Sequence, residues 1–215
     1  MKKYKLVLFD LDGTLMDTSK GVLEAVKYTI KTMNLSALPD DLIKSFIGPP
    51  IEVSFEKYYH LPSEKVEEAA KTFREIYKKK FLFNAEIYPG MVEVLVKIRN
   101  LGYKVGVATN KRESYTLKLL EHFDLKKRFD IIYGSDEKGR LGKKEIISKC
   151  MEEAGVNAAE TVMLGDTDSD AGAAETLGVD FIAVTYGFGY RNNNDVSHRF
   201  ISTVSEPKGI SLLIG

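Results

Sequence analysis

From Tyr88 onward the chain alternates between short apolar runs and helical stretches. The runs 103–108, 129–133, 161–164 and 179–185 are rich in Val, Leu, Ile and aromatic residues, and 4–9 is one more at the start. Each is too short to be a helix and ends in turn residues, as buried strands do. The stretches 91–101, 114–122, 143–154 and 171–177 carry their apolar residues at helical spacing. A strand apolar on both sides must be covered on both faces. Alternation with helices therefore predicts a parallel α/β sheet.

Residues 16–85 break the alternation. Val22, Ala25, Val26, Thr29, Ile30 and Met33 share one helical face, and Asp17, Thr18 and Ser19 offer caps before them. Helical segments follow at 40–46, at 51–59 after Gly48-Pro49-Pro50, and at 63–80 with Val66, Ala69, Ala70, Phe73, Ile76 and Tyr77 aligned. The expected architecture is a Rossmann-like α/β core from residues 1–15 and 86–215, carrying an all-helical insertion at 16–85. The insertion leaves directly after the first strand, where it can arch over the sheet's edge as a lid.

Ligands of open α/β sheets bind beyond the carboxyl ends of the strands. There this chain places Asp10 and Asp12, then Thr109 and Asn110, then Asp166 and Asp170. Asp-Gly after a strand is ordinary turn chemistry, and Thr109-Asn110 also reads as a helix cap. Two acids at i and i+2 of an extended segment point the same way, however. They repel unless a cation or a proton lies between them. A helix starting near Thr167 would set Asp166 and Asp170 on one face. Lys143 and Lys144 open a helix, where the dipole disfavours cations, so an anion is expected beside them.

Two look-alike motifs fail. Asp166-Thr167-Asp168-Ser169-Asp170 begins like an EF-hand loop, but Ala171 and Leu177 stand where Gly and Glu are needed. Gly142-Lys143 is no P-loop, because Glu137 and Lys144 occupy two of its required positions. Arg74, Lys44 and Lys57 read as solvated helix-face cations. His60, His122 and His198 lack metal-ligand spacing, and Cys150 lies on the apolar face of its helix.

Among the 215 residues, 31 Lys and Arg balance 31 Asp and Glu, so no basic field exists to grip nucleic acid. No apolar stretch reaches the length of a membrane span, and the run after the N-terminal lysines is too short for a signal peptide. One cysteine excludes an internal disulfide framework. A cytoplasmic protein without nucleic-acid or membrane partners is expected.

The motifs "FDLDGTL" at 9–15, "VATN" at 107–110, the lysine of "GKKEII" at 142–147 and "GDTDSD" at 165–170 resemble, in order, those of haloacid dehalogenase superfamily phosphatases. "VTYGFG" at 184–189 and "FIGPPIEVSF" at 46–55 are similar to the phosphoglycolate phosphatase-like branch. The resemblance implies a helical cap domain on the core and a Mg2+-dependent phosphomonoester hydrolase acting on a small phosphorylated metabolite. Asp10 is then the nucleophile that forms an aspartyl-phosphate, and Asp12 the general acid and base. Implied metal ligands are the Asp10 side chain, the Asp12 backbone carbonyl and Asp166, with Asp170 acting through water or orienting the others. Thr109, Asn110 and Lys143 would bind the phosphoryl group. Many relatives carry Lys-Pro at the lysine; here Ile146-Ile147 favours Lys143 over Lys144 in that role.

Dehalogenation does not fit, because dehalogenases of the superfamily lack an acid two residues after the nucleophile. A β-phosphoglucomutase-like mutase shares the core chemistry, but "FIGPPI" is more similar to phosphatases. A non-catalytic relative would have lost one of Asp10, Asp12, Lys143 or Asp166, and all four are present. Phosphoglycolate, a nucleoside 5′-monophosphate, pyrophosphate and phosphorylated sugars all remain open as substrates.

Overall fold

The computed structural model describes residues 4–137 and 139–214. By internal contacts the chain forms two compact units, Met1–Asp17 with Ile87–Gly215, and Thr18–Glu86. In chain order the elements are β1 (Leu6–Phe9), β2 (Met16–Asp17), α1 (Ser19–Thr32), α2 (Asp40–Lys44), α3 (Ile51–Tyr59), α4 (Ser63–Ile76), β3 (Glu86–Ile87), α5 (Met91–Asn100), β4 (Lys104–Arg112), α6 (Glu113–His122), β5 (Ile131–Ser135), α7 (Lys143–Ala154), β6 (Thr161–Gly165), α8 (Asp168–Leu177), β7 (Asp180–Val184), β8 (Ser202–Val204) and α9 (Pro207–Ile214).

The larger unit is a parallel α/β sheet of six strands in the order β5-β4-β1-β6-β7-β8. β1 is central, and all four of its residues are fully buried, which is why its run contains nothing polar. Leu6 to Phe9 pair with Lys104 to Val107 on one side and with Thr161 to Leu164 on the other. The chain fills the β4 side first, then crosses through α7 to β6. The order therefore reverses beside β1, the switch point where such sheets bind ligands. Leu6, Leu8, Ala108, Ile146, Ile147, Cys150, Met163 and Phe181 belong to one core cluster of the sheet and its helices. Each Leu, Ile, Met or Phe among them contributes about 1.5–3 kcal/mol by its withdrawal from water.

The apolar pattern predicts a strand that stops at Ala108, with Thr109-Asn110 as turn or cap. Instead β4 runs on to Arg112, whose partner is Ser135 of β5, through an irregularity in register after Ala108. α8 begins at Asp168 with Thr167 as its N-cap, so Asp166 stands just before the helix, and its carboxylate still comes within 4.8 Å of that of Asp170. β8 and α9 follow without a counterpart in the pattern. β8 is a three-residue edge strand defined by pairing with β7, a partner about twenty residues away that local patterning does not reveal.

In the smaller unit, Val26, Ile30, Ile43, Phe46, Ile51, Phe55, Ala69 and Ala70 form the core shared by α1–α4. Phe46 and Phe55 meet edge-to-face at 5.2 Å. α4 runs into a π-helical turn, Tyr77–Phe81, and Gly21 is needed on α1 because any Cβ there would strike the Phe81 carbonyl. Arg74 pairs with Glu52 rather than facing solvent alone. Among the described residues, no helix is long and apolar enough to cross a membrane.

Candidate active site

Asp10 follows β1, Thr109 lies in β4, and Asp166 follows β6, so three adjacent strands deliver these residues to one edge of the sheet. Lys143 opens α7 behind them. Asp10, Thr109, Lys143, Asp166 and Asp170 are all buried. The Lys143 ammonium donates to Asp10 Oδ1 at 2.6 Å and to the Ala108 carbonyl at 2.9 Å, and lies 2.7 Å from Asp170 Oδ1. The ammonium thus hydrogen-bonds two acceptors and forms an ion pair with a third oxygen, that of Asp170. A cation at a helix N-terminus opposes the helix dipole; here carboxylates supply the expected anion. Lys144, one residue on, is exposed.

Asp10, Asp166 and Asp170 each bring a carboxylate oxygen within 4.8 Å of the others. Against one ammonium, the fully ionised trio leaves two negative charges in excess. Burial pushes the Asp10 carboxyl up to about 6; Lys143 pulls it back, while Asp170 and Asp12 add to the rise. Burial, then the charges of Asp170 and Asp10, push Asp166 up to about 8. Burial also works against the charge on Lys143, but Asp10 and Asp170 override it and hold the ammonium above the ordinary lysine value.

Asp166 is asymmetric. Its Oδ2 accepts from the backbone N–H groups of Phe188 at 2.7 Å and Gly189 at 3.1 Å. Its Oδ1 is buried with no hydrogen-bond partner among the described residues, which is costly for a carboxylate oxygen unless a cation occupies the place. An oxygen-only donor set with uncompensated charge fits a hard divalent ion. Asp170 is more constrained: its Oδ2 accepts from the Thr167 backbone and hydroxyl, closing a capping box on α8.

Asp12 is part of the edge but not of that trio. Its carboxylate accepts two hydrogen bonds from Lys111 Nζ, at 2.9 and 3.1 Å. Lys111 goes unnoticed in the apolar pattern because the predicted strand ends before it. Once β4 extends to Arg112, Lys111 falls within the strand, two residues after Thr109. Thr109 Oγ1 accepts from the Lys111 backbone at 3.2 Å, and the Asn110 amide donates to Ser169 at 2.9 Å, joining β4 to the start of α8.

Residues 7–184 match the model of the haloacid dehalogenase-like hydrolases. The chain belongs to this family. Within the haloacid dehalogenase-like hydrolases it is a phosphatase. A 5′-nucleotidase from Pseudomonas aeruginosa is 31% identical over 188 residues, covering 87% of this chain and 85% of that protein. A phosphoglycolate phosphatase from Aquifex aeolicus is 29% identical over 185 residues, 86% of each protein. A haloacid dehalogenase-like family hydrolase from Streptococcus pneumoniae has the same fold, with a TM-score of 0.92 at 27% identity over 100% of both chains. Phosphatases of this family generally use a divalent metal, and the buried acidic trio is where the described residues offer a place for one.

Proposed function

We propose that the protein is a Mg2+-dependent phosphomonoesterase that works through an aspartyl-phosphate on a small phosphorylated metabolite, in the manner of a phosphoglycolate phosphatase. The observation that carries this reading is the buried trio of Asp10, Asp166 and Asp170, with one Asp166 oxygen that has no hydrogen-bond partner among the described residues. Asp10, Asp166 and the Asp12 carbonyl would hold the magnesium, with Asp170 steadying them, and the ion would screen the Asp10 carboxylate from the anionic phosphate it must approach.

Asp10 attacks phosphorus and takes the phosphoryl group, breaking the bond to the alcohol oxygen. Asp12 gives its proton to the departing alkoxide, so the alcohol leaves neutral. Asp12 then takes a proton from water, and the resulting hydroxide attacks phosphorus. Inorganic phosphate leaves and the Asp10 carboxylate is restored. Lys143 and Thr109 offset charge on the phosphoryl oxygens during both transfers. Lys111 fixes where Asp12 sits. The single cysteine suits a reducing, cytoplasmic setting.

A nucleoside 5′-monophosphate is the second substrate reading, favoured by the 31% identity to the Pseudomonas aeruginosa 5′-nucleotidase. Purified protein should be supplied with magnesium and phosphoglycolate, nucleoside 5′-monophosphates, pyrophosphate or glucose 1-phosphate. Release of inorganic phosphate from a monoester, abolished in Asp10→Asn, is the expected result. Full activity in Asp10→Asn would overturn the covalent mechanism. Conversion of glucose 1-phosphate to glucose 6-phosphate without phosphate release would make the protein a mutase.

A further inference from the structure

The segment 184–189, "VTYGFG", supplies no reacting group to the chemistry above, yet it wraps around a single carboxylate. Besides the two N–H groups that Phe188 and Gly189 give to Asp166 Oδ2, the Tyr190 N–H donates to the Asp166 carbonyl at 2.9 Å. The Tyr186 hydroxyl donates to the Thr14 carbonyl at 2.9 Å, tying the same segment to the "DGT" turn after Asp12. Tyr88 braces Tyr186 edge-to-face at 4.8 Å.

The glycines explain how backbone comes this close. A Cβ on Gly187 would crowd Asp166 Oδ2 and the Gly13 carbonyl, and one on Gly189 would strike the Asp166 carbonyl. From the other side, a Cβ on Gly13 would collide with the Asp166 carboxylate, and its φ of +82° also favours glycine. Asp166 Oδ2 is therefore enclosed between two glycines and capped by two backbone donors. The carboxylate cannot turn without breaking both bonds, and its other oxygen is the buried one with no hydrogen-bond partner among the described residues.

We propose that residues 186–190 are an orienting clamp that holds Asp166 Oδ2 so that Oδ1 alone faces the cation. The inference rests on the magnesium reading above and adds to it: ion affinity is set by backbone N–H groups of a glycine segment outside the ligand set. Partners that orient a metal ligand in this way are worth about ten-fold to a hundred-fold in affinity.

The test is a magnesium titration of chelator-treated protein, followed by the rise in unfolding temperature and fitted for an apparent dissociation constant. Gly187→Ala and Gly189→Ala should each weaken magnesium about ten-fold or more. Tyr186→Phe, which unties the segment from Thr14 without a clash, should weaken it by less. The exposed neighbour Arg191→Ala should titrate as wild type does. If the glycine variants do not fold, Tyr186→Phe decides. Variants that all titrate at the wild-type concentration would overturn the clamp while leaving the magnesium reading intact. A wild-type protein with no magnesium-dependent shift would overturn both.

Discussion

The Lys143 ammonium donates to the Asp10 carboxylate at 2.6 Å, joining two residues 133 positions apart, both withdrawn from water. The pair places a fixed positive charge beside the proposed nucleophile. It also accounts for a cation at the unfavourable end of α7.

Removing that charge should affect chemistry and folding together. Lys143→Met is expected to lower turnover by about 10²–10³-fold, the usual cost of losing one donor to a transition-state oxyanion. It should also destabilise the protein by about 3–5 kcal/mol, because buried carboxylates lose their counter-charge. Lys144→Met should change neither by much, since Lys144 is exposed. Phosphate release and urea unfolding of the two variants check this, and equal losses in both would contradict the assignment to Lys143.

Asp166→Asn should separate the cost of the acidic trio from its use. Without metal, the variant is expected to unfold at a higher temperature than wild type, because one of three mutually repelling carboxylates is gone. With magnesium the order reverses, as wild type gains RT ln(1 + [Mg2+]/Kd) and the variant gains little. Calorimetric scans with chelator and with excess magnesium give all four values.

Lys111 touches no reacting atom in the proposed mechanism and works through Asp12. Lys111→Met should lower kcat by about ten-fold with KM little changed, short of the about 10²–10⁴-fold expected for Asp12→Ala. Steady-state kinetics on the best substrate distinguish them. A loss as large as that of Asp12→Ala would mean that Lys111 has a direct role.

Cys150 makes stability sensitive to alkali. Burial, then the charge of Glu153, pushes its thiol up to about 12 from an ordinary value of 9.0. The folded state therefore keeps its proton where the unfolded state has released it. The contribution is fully present below about pH 9 and is lost as pH rises toward 12, at up to about 1.4 kcal/mol per pH unit. Urea unfolding at about pH 7.5 and about pH 10 should show a shallower decline for Cys150→Ala than for wild type.

The fold was legible wherever a strand was buried on both faces. Leu6 to Phe9 has no polar residue, and neither has the run from Val162 to Leu164, because each lies inside the sheet. Edge pieces left no such trace. Ser202–Val204 is a strand only because β7 lies beside it. In the candidate site, Asp10, Asp12, Asp166 and Lys143 stood out by breaking local rules: acids crowded after strands, and a lysine at a helix start. Lys111 broke none, since it stands before α6 begins, in what the apolar pattern reads as a polar turn.

The sequence by itself determined the alternation of strands and helices, and with it the edge at which the polar residues collect. That follows from local physics, because apolar spacing and turn residues act over a few positions. Only the tertiary structure decided which groups face each other there: Lys143 with Asp10, Lys111 with Asp12, and Asp166 with the N–H groups of Phe188 and Gly189. Such pairings join residues far apart in the chain, and their strength comes from removal from water. Neither long-range proximity nor burial is a property of a short stretch of sequence.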